Sequence, residues 1–407
     1  MLPERASGVQ LHLTSLPGGR LGPAAREFVE WLAAAGQQVW QVLPLSVPDA
    51  HGSPYASPSA FAASPALLED PTAEVTPEEL QRFTADNAYW AGSWVAHGGD
   101  LADQVRFTRE WGALRRFAAE RGVQVLGDVP IYVAPASADQ RSWPALFRDD
   151  AVAGVPPDAF SDTGQLWGNP LYDWQAMAAD GYRWWTERLR RSLELFDLVR
   201  LDHFRGFAAY WAVPAGDETA EDGRWEQGPG RAVFDAAAAE LGPLPVLAED
   251  LGDIDQPVVD LRRALGFPGM AVLQFAFDPD SDDVSHEPEN LERDQVVYTG
   301  THDNDTVVGW WSELPEPRRV EVRRAWRAAG VRTDGETDPA WAMVELAHAA
   351  PCRLAVCQAQ DVLALGREAR MNTPGTAATW AWRLQPGQLT DAHARRLREV
   401  TEASGRC

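Results

Sequence analysis

Leu198-Val199-Arg200-Leu201-Asp202-His203-Phe204-Arg205-Gly206 is a short apolar run that stops on an acid and a histidine. Such a run reads as a strand buried on both faces, ending in a polar turn. The same grammar recurs at Val246–Ala248, followed by Glu249-Asp250, and at Val296–Thr299, followed by His302-Asp303-Asn304-Asp305. Working outward, five further runs have the same character: Val9–Leu13, Val39–Leu45, Val125–Val133, Met270–Phe277 and Leu354–Cys357. Amphipathic stretches lie between most of them, among them Ala24–Ala35, Ala102–Glu120, Tyr182–Leu195, Arg231–Leu241, Pro257–Leu265, Glu316–Ala329 and Ala340–Ala349. A last one, Thr390–Thr401, follows the final strand. Strands alternating with helices predict parallel βαβ units. Eight units point to an α/β fold of the (β/α)8 TIM-barrel class. No Gly-x-Gly-x-x-Gly or Walker-type loop follows a strand, which removes the main support for a nucleotide-binding sheet.

Two connections are too long for simple loops, one after the second strand and one after the third. They predict insertions at 46–122 and 134–177 within a single catalytic barrel spanning 1–407. Composition narrows the function classes. The 36 basic residues are all Arg, against 60 Asp and Glu, for a net charge of −24. So acidic a chain repels phosphate backbones and anionic lipid, so neither nucleic acid nor membrane is an expected partner. No apolar run approaches the ~20 residues of a membrane span, and the N-terminus lacks a signal-peptide pattern, so a cytoplasmic location is expected. Cys352, Cys357 and Cys407 lack metal-ligand spacing and read as reduced thiols. The 18 Trp stand out. Trp31, Trp40, Trp111 and Trp326 fall within helix or strand patterns and are expected in the core, whereas Trp167 and Trp310 are placed for a cleft.

In a parallel barrel the active site gathers at the C-terminal ends of the strands. Asp202, Glu249 and Asp303 each follow such an end. A rim of carboxylates suits glycoside chemistry, where one acid protonates the leaving oxygen and another attacks the anomeric carbon. It also suits metal-assisted chemistry, but His203 and His302 lack the spacing of a zinc site, so no metal is expected. Aromatic rings and a neutral substrate favour the sugar reading. Arg200, two residues before Asp202 on a strand, points the same way and would keep that carboxylate ionised.

The residues also carry a family resemblance. Gly8–Pro17, Trp40–Leu45, Ser53–Phe61, Gly127–Val133, Val152–Trp174, Leu198–Trp211, Leu247–Gly252, Pro268–Phe277, Val297–Trp311 and Glu368–Thr376 resemble, in order, the blocks of the 4-α-glucanotransferases, the amylomaltase or disproportionating-enzyme family of glycoside hydrolase family 77 type. The resemblance implies retaining transfer of α-1,4-glucan segments between maltooligosaccharides. Asp202 would be the nucleophile, Glu249 the acid and base, and Asp303 the stabiliser of the transition state. Tyr55, Trp167, Arg200, Asp250, His302, Asn304 and Asn372 would contact substrate. The loop Pro156–Trp167 would close on the acceptor side. No cofactor is implied, and a monomer is favoured. A related glucan hydrolase and an inactive glucan-binding homologue are the alternatives. The chain departs from the family pattern in four places: a shortened region from about Glu69 to Asp103, the turn Gly18–Gly22, Ala159-Phe160 where the family carries Tyr before Phe, and Ala50-His51-Gly52 before Ser53.

Overall fold

The computed structural model describes residues 4–157, 161–278, 283–376 and 380–406. Twelve strands are described: β1 (Ala6–Gln10), β2 (Val39–Gln41), β3 (Gln124–Val129), β4 (Phe147–Val155), β5 (Gln165–Tyr172), β6 (Leu198–Leu201), β7 (Ala209–Pro214), β8 (Arg224–Gln227), β9 (Val246–Ala248), β10 (Gly269–Val272), β11 (Gln295–Tyr298) and β12 (Leu354–Gln358). Eight of them form one sheet in the order β10-β11-β12-β1-β2-β3-β6-β9. That order is a circular permutation of the chain order, with the last strand, β12, paired in parallel to the first. These are the neighbour relations of a (β/α)8 barrel, the class expected from the sequence.

Contacts divide the chain into two compact units. One comprises Met1–Leu43, Trp111–Leu126 and Pro268–Cys407. It holds β1, β2, the first half of β3 and β10 to β12. Its core includes Leu273, Phe277, Val297, Trp311, Val322, Trp326, Met343 and Leu346. Each fully buried large apolar side chain contributes roughly 1.5–3 kcal/mol. The other unit comprises Pro44–Glu110 and Gly127–Phe267. It holds the end of β3, β6, β9 and an antiparallel sheet ordered β5-β4-β7-β8. Tyr172, Trp184, Trp185 and Phe207 are almost fully buried there, with Trp185 and Phe207 ring centroids 5.0 Å apart.

Several strands end earlier than their apolar runs. β2 stops at Gln41 although Val42, Leu43 and Leu45 are also buried. Pro44 cannot donate to a ladder, so burial there comes from packing and not from pairing. β3 stops at Val129 because Pro130 follows. The run Met270–Phe277 leaves the sheet at Val272, and Phe275–Phe277 coils into a 3-10 turn. The antiparallel sheet has no counterpart in the sequence pattern. The four expected core tryptophans, Trp31, Trp40, Trp111 and Trp326, are all buried. So are Cys352 and Cys357, while Cys407 lies outside the described residues. In place of a trimmed loop, the stretch after β2 carries helices Pro77–Asp86, Ala91–Ala96 and Leu101–Ala119. No helix among the described residues is long and apolar enough to cross a membrane.

Candidate active site

Backbone pairing continues past the ends of β6 and β9 and sets their acids in place. Asp202 N–H donates to the Val129 carbonyl at 3.0 Å, and Glu249 N–H donates to the Leu201 carbonyl at 2.9 Å. The chain then turns sharply at His203, whose φ of 48° lies in the left-handed region. A non-glycine residue held there costs energy and marks a position the surroundings over-determine. The turn brings the His203 N–H onto a Glu249 carboxylate oxygen, and the Phe204 N–H onto the Glu249 carbonyl at 2.9 Å.

Arg200 is the hub of this half of the site. Its Nη1 donates to Asp202 Oδ1 at 2.9 Å and to both Asp128 oxygens at 2.7 and 2.9 Å. Arg200 and Asp128 are buried, whereas the Asp202 side chain keeps 28% of its surface open. Burial would depress the guanidinium, but Asp128 and Asp202 hold it well above its ordinary value, so it stays charged. A buried ion pair is weak support for stability; here it fixes the direction in which Arg200 points. Tyr55 O–H donates to Asp128 Oδ2 at 2.7 Å. Sequence reasoning misses Asp128. Its signal is the rule that selects Asp202, an acid at a strand end, for Asp128 occupies the fifth position of β3, before Pro130.

Glu249 is tuned the other way. Burial pushes its carboxyl up, while the Arg200 charge and the N–H groups of His203 and Leu251 pull down and do not win. Asp250, the next residue, does not stand open: it pairs with Arg262 at 2.8 Å, and both side chains are nearly buried. Trp167 lies on β5, half-buried, with its ring edge-on to His203 at 4.7 Å. Burial holds the His203 imidazole down at about 3, with the Arg205 charge adding to the shift, so the ring is neutral. Arg205 itself reads as an anchor, held by the Asp253 carbonyl and the Asp255 carboxylate. Asp158, Ala159 and Phe160 of the acceptor-side loop lie outside the described residues.

In the other unit, the turn after β11 presents a second cluster. His302 Nε2 lies 3.3 Å from Asp303 Oδ2. Asn372 donates from its side-chain amide to Asp303 Oδ1, and its backbone N–H donates to the His302 carbonyl at 3.0 Å. Arg370 donates to the carbonyl oxygens of Asp303 and Asn372. The Asp303 side chain remains 42% exposed. Asn304 Oδ1 accepts from Thr301 N–H at 2.8 Å and from its hydroxyl at 2.9 Å, which closes the turn. Behind it, buried Asp361 accepts from Thr299 Oγ1 at 2.6 Å and Val307 N–H at 2.8 Å. His302 is buried and rests against Trp380, with centroids 5.8 Å apart. Trp310 lies in the helix Val307–Glu313 and packs on Phe277 at 6.2 Å. Among the described residues no group of His, Cys, Asp and Glu has the arrangement of a metal site.

The 4-alpha-glucanotransferase family model matches residues 11–94 and 100–390. The chain belongs to the 4-α-glucanotransferase family. Its similarity to the 4-alpha-glucanotransferase of Thermus thermophilus is 40% identity, covering 99% of each chain. To the chloroplastic or amyloplastic 4-alpha-glucanotransferase of Solanum tuberosum it is 37%, covering 99% of this chain and 87% of the relative. The solved amylomaltase from Streptococcus agalactiae in complex with acarbose superimposes with a TM-score of 0.91 at 29% identity, covering 99% of both chains. The alignment with the Thermus relative runs over 496 positions, more than the 407 residues present here, so that 4-α-glucanotransferase carries segments which this one lacks. The family match breaks at residues 95–99, inside the stretch expected to be shortened.

Proposed function

We propose that this 4-α-glucanotransferase moves α-1,4-glucan segments between maltooligosaccharides by a retaining double displacement. The observation that carries the reading is the opposite tuning of two acids at neighbouring strand ends: Asp202 bonded to a buried, charged arginine, and Glu249 pushed up by burial. In the first step Asp202 attacks the anomeric carbon. The bond to the leaving 4-oxygen breaks as Glu249 gives that oxygen its proton. A glucosyl ester on Asp202 and a shortened glucan result. In the second step Glu249, now a carboxylate, takes the proton of an acceptor 4-hydroxyl. The acceptor oxygen displaces Asp202 and restores the original configuration. Each step draws only on protein side chains.

Asp303, held by Asn372 and His302, binds sugar hydroxyls and strengthens its hold as charge develops at the ring. Trp167, Asp250 and Asn304 complete the sugar contacts, with Asp250 fixed through Arg262. We assign the reaction to one catalytic domain over 1–407 with insertions at 46–122 and 134–177, acting as a monomer in the cytoplasm.

Incubation of the purified protein with maltotriose tests the reading. Glucose together with chains longer than maltotriose is the expected result. Glucose and maltose without elongation means hydrolysis and overturns it, as does no change at all. Tyr55 gives a narrower test. Its hydroxyl is engaged with Asp128, so Tyr55→Phe removes a bond to a charged group, a kind worth ~1.5–3 kcal/mol. Part of that is spent on the alignment of Arg200, so kcat on maltotriose falls about tenfold. KM changes little, because the ring remains. A raised KM with unchanged kcat assigns the hydroxyl to the sugar instead.

A further inference from the structure

The antiparallel sheet carries an aromatic surface that the catalytic residues do not use. Its registers set Leu166 of β5 opposite Gly154 of β4, Gly154 opposite Trp211 of β7, and Trp211 opposite Trp225 of β8. Residues directly opposite one another share a face of a sheet. Leu166, Trp211 and Trp225 therefore form one apolar row across four strands, about 14 Å long at the usual strand spacing. Gly154, without a side chain, leaves a trough in its middle. The row is open: Trp225 is 40% exposed and Leu166 37%.

The rings are held rigidly. The Arg205 guanidinium sits 4.0 Å from the centroid of Trp225, and this arginine is buried and tied to Asp253 and Asp255. Trp211 meets Trp225 edge to face at 5.3 Å. The Trp211 indole N–H donates to the Ala220 carbonyl at 2.9 Å. A Cβ on Gly223 would lie 2.2 Å from that indole, so only glycine lets the turn before β8 close over it. A rigid, exposed tryptophan on a polar-rimmed row is a poor surface for water and a good one for the C–H face of a sugar. The row also continues the site. Trp167 follows Leu166 on β5 and points to the opposite face, where its ring meets His203, the residue after Asp202.

We propose that the Leu166–Trp211–Trp225 row binds α-1,4-glucan chains remote from the cleaved bond, holding the outer sugars of long donors or acceptors. This rests on the transferase reading and adds a length preference to it. The test compares amylose with maltotriose in the wild type, Trp225→Ala and Trp225→Phe. In Trp225→Ala the ratio of KM for amylose to KM for maltotriose rises about threefold to tenfold, the scale of one aromatic stacking contact. Trp225→Phe, which keeps a ring, restores most of the difference. An unchanged ratio overturns the proposal. So does an equal loss on both substrates, which assigns Trp225 to folding through Arg205. If sedimentation shows a wild-type dimer that Trp225→Ala dissolves, the row is an interface between copies and the proposal falls. A wild type that elongates nothing from maltotriose instead removes the transferase reading beneath it, and the two failures are told apart by that control.

Discussion

An Asp202→Asn variant is expected to lose transfer on maltotriose by about 10⁴-fold or more, the scale seen when a covalent nucleophile or its partner is removed. The protein should remain folded. Arg200 Nη1 donates to Asp202 Oδ1 at 2.9 Å, and an amide oxygen in the same place accepts that bond. Asp128 and Tyr55 continue to hold Arg200 from the other side. What changes is chemical. The amide carries no charge for Arg200 to stabilise and does not form an ester with the sugar. Rates of glucose release and elongation, measured beside the melting temperature, check both halves of the expectation. A rate within tenfold of the wild type at unchanged stability would sink the proposed mechanism. A large loss of stability would show that Asp202 serves the ion-pair cluster first and the substrate second.

That experiment also bears on what the sequence could reveal. β6 and β9 match their sequence spans because each is a short run with a sharp polar end and a conformational break nearby: Asp202-His203 after one, Pro245 before the other. The apolar runs overstate β2 and the strand beginning near Met270, because buried loops such as Leu43-Pro44-Leu45 are as apolar as a central strand. The antiparallel sheet is hidden for the opposite reason. β4 begins Phe147-Arg148-Asp149-Asp150, and β5 contains Gly168 and Pro170, residues that argue against a strand. They are tolerated because β5 has only one neighbour in its sheet. The site is legible where chemistry and position coincide, as at Asp202, Glu249 and Asp303. It is not legible where a residue acts through another. Asp128 aligns Arg200, Arg262 fixes Asp250, and Arg370 braces Asp303 and Asn372. Most of these pairings join residues far apart in the chain, and no local pattern announces them. The 18 Trp mislead in bulk. Several fill the core, and the informative ones are the few that stay partly open on β5, β7 and β8.

Glu249→Gln is expected to stop transfer between natural glucans as completely as Asp202→Asn, but in a distinguishable way. A glucan 4-oxygen leaves as an alkoxide unless it is protonated, and Glu249 is the group assigned to protonate it. Its carboxyl is raised by burial, so the acid form persists to higher pH than in an ordinary glutamate. The sign follows. In the wild type, kcat/KM for maltotriose falls as pH rises through the raised pKa, because the acid is lost. A donor whose leaving group needs no proton, such as a glucosyl fluoride, does not show that alkaline fall in its first step. An amide in place of the carboxyl cannot protonate the leaving oxygen, so the variant loses natural donors yet still reacts with the fluoride. Once the glucosyl ester forms on Asp202, the variant also lacks the base that activates an acceptor. The ester should therefore accumulate, visible in the intact mass as one added glucosyl unit, and absent when Asp202→Asn is combined with it. If the Glu249→Gln variant keeps its rate on maltotriose, or keeps the alkaline limb, Glu249 is not the proton donor. The raised carboxyl would then be a consequence of burial alone, with its two backbone N–H bonds serving only to hold the turn at His203.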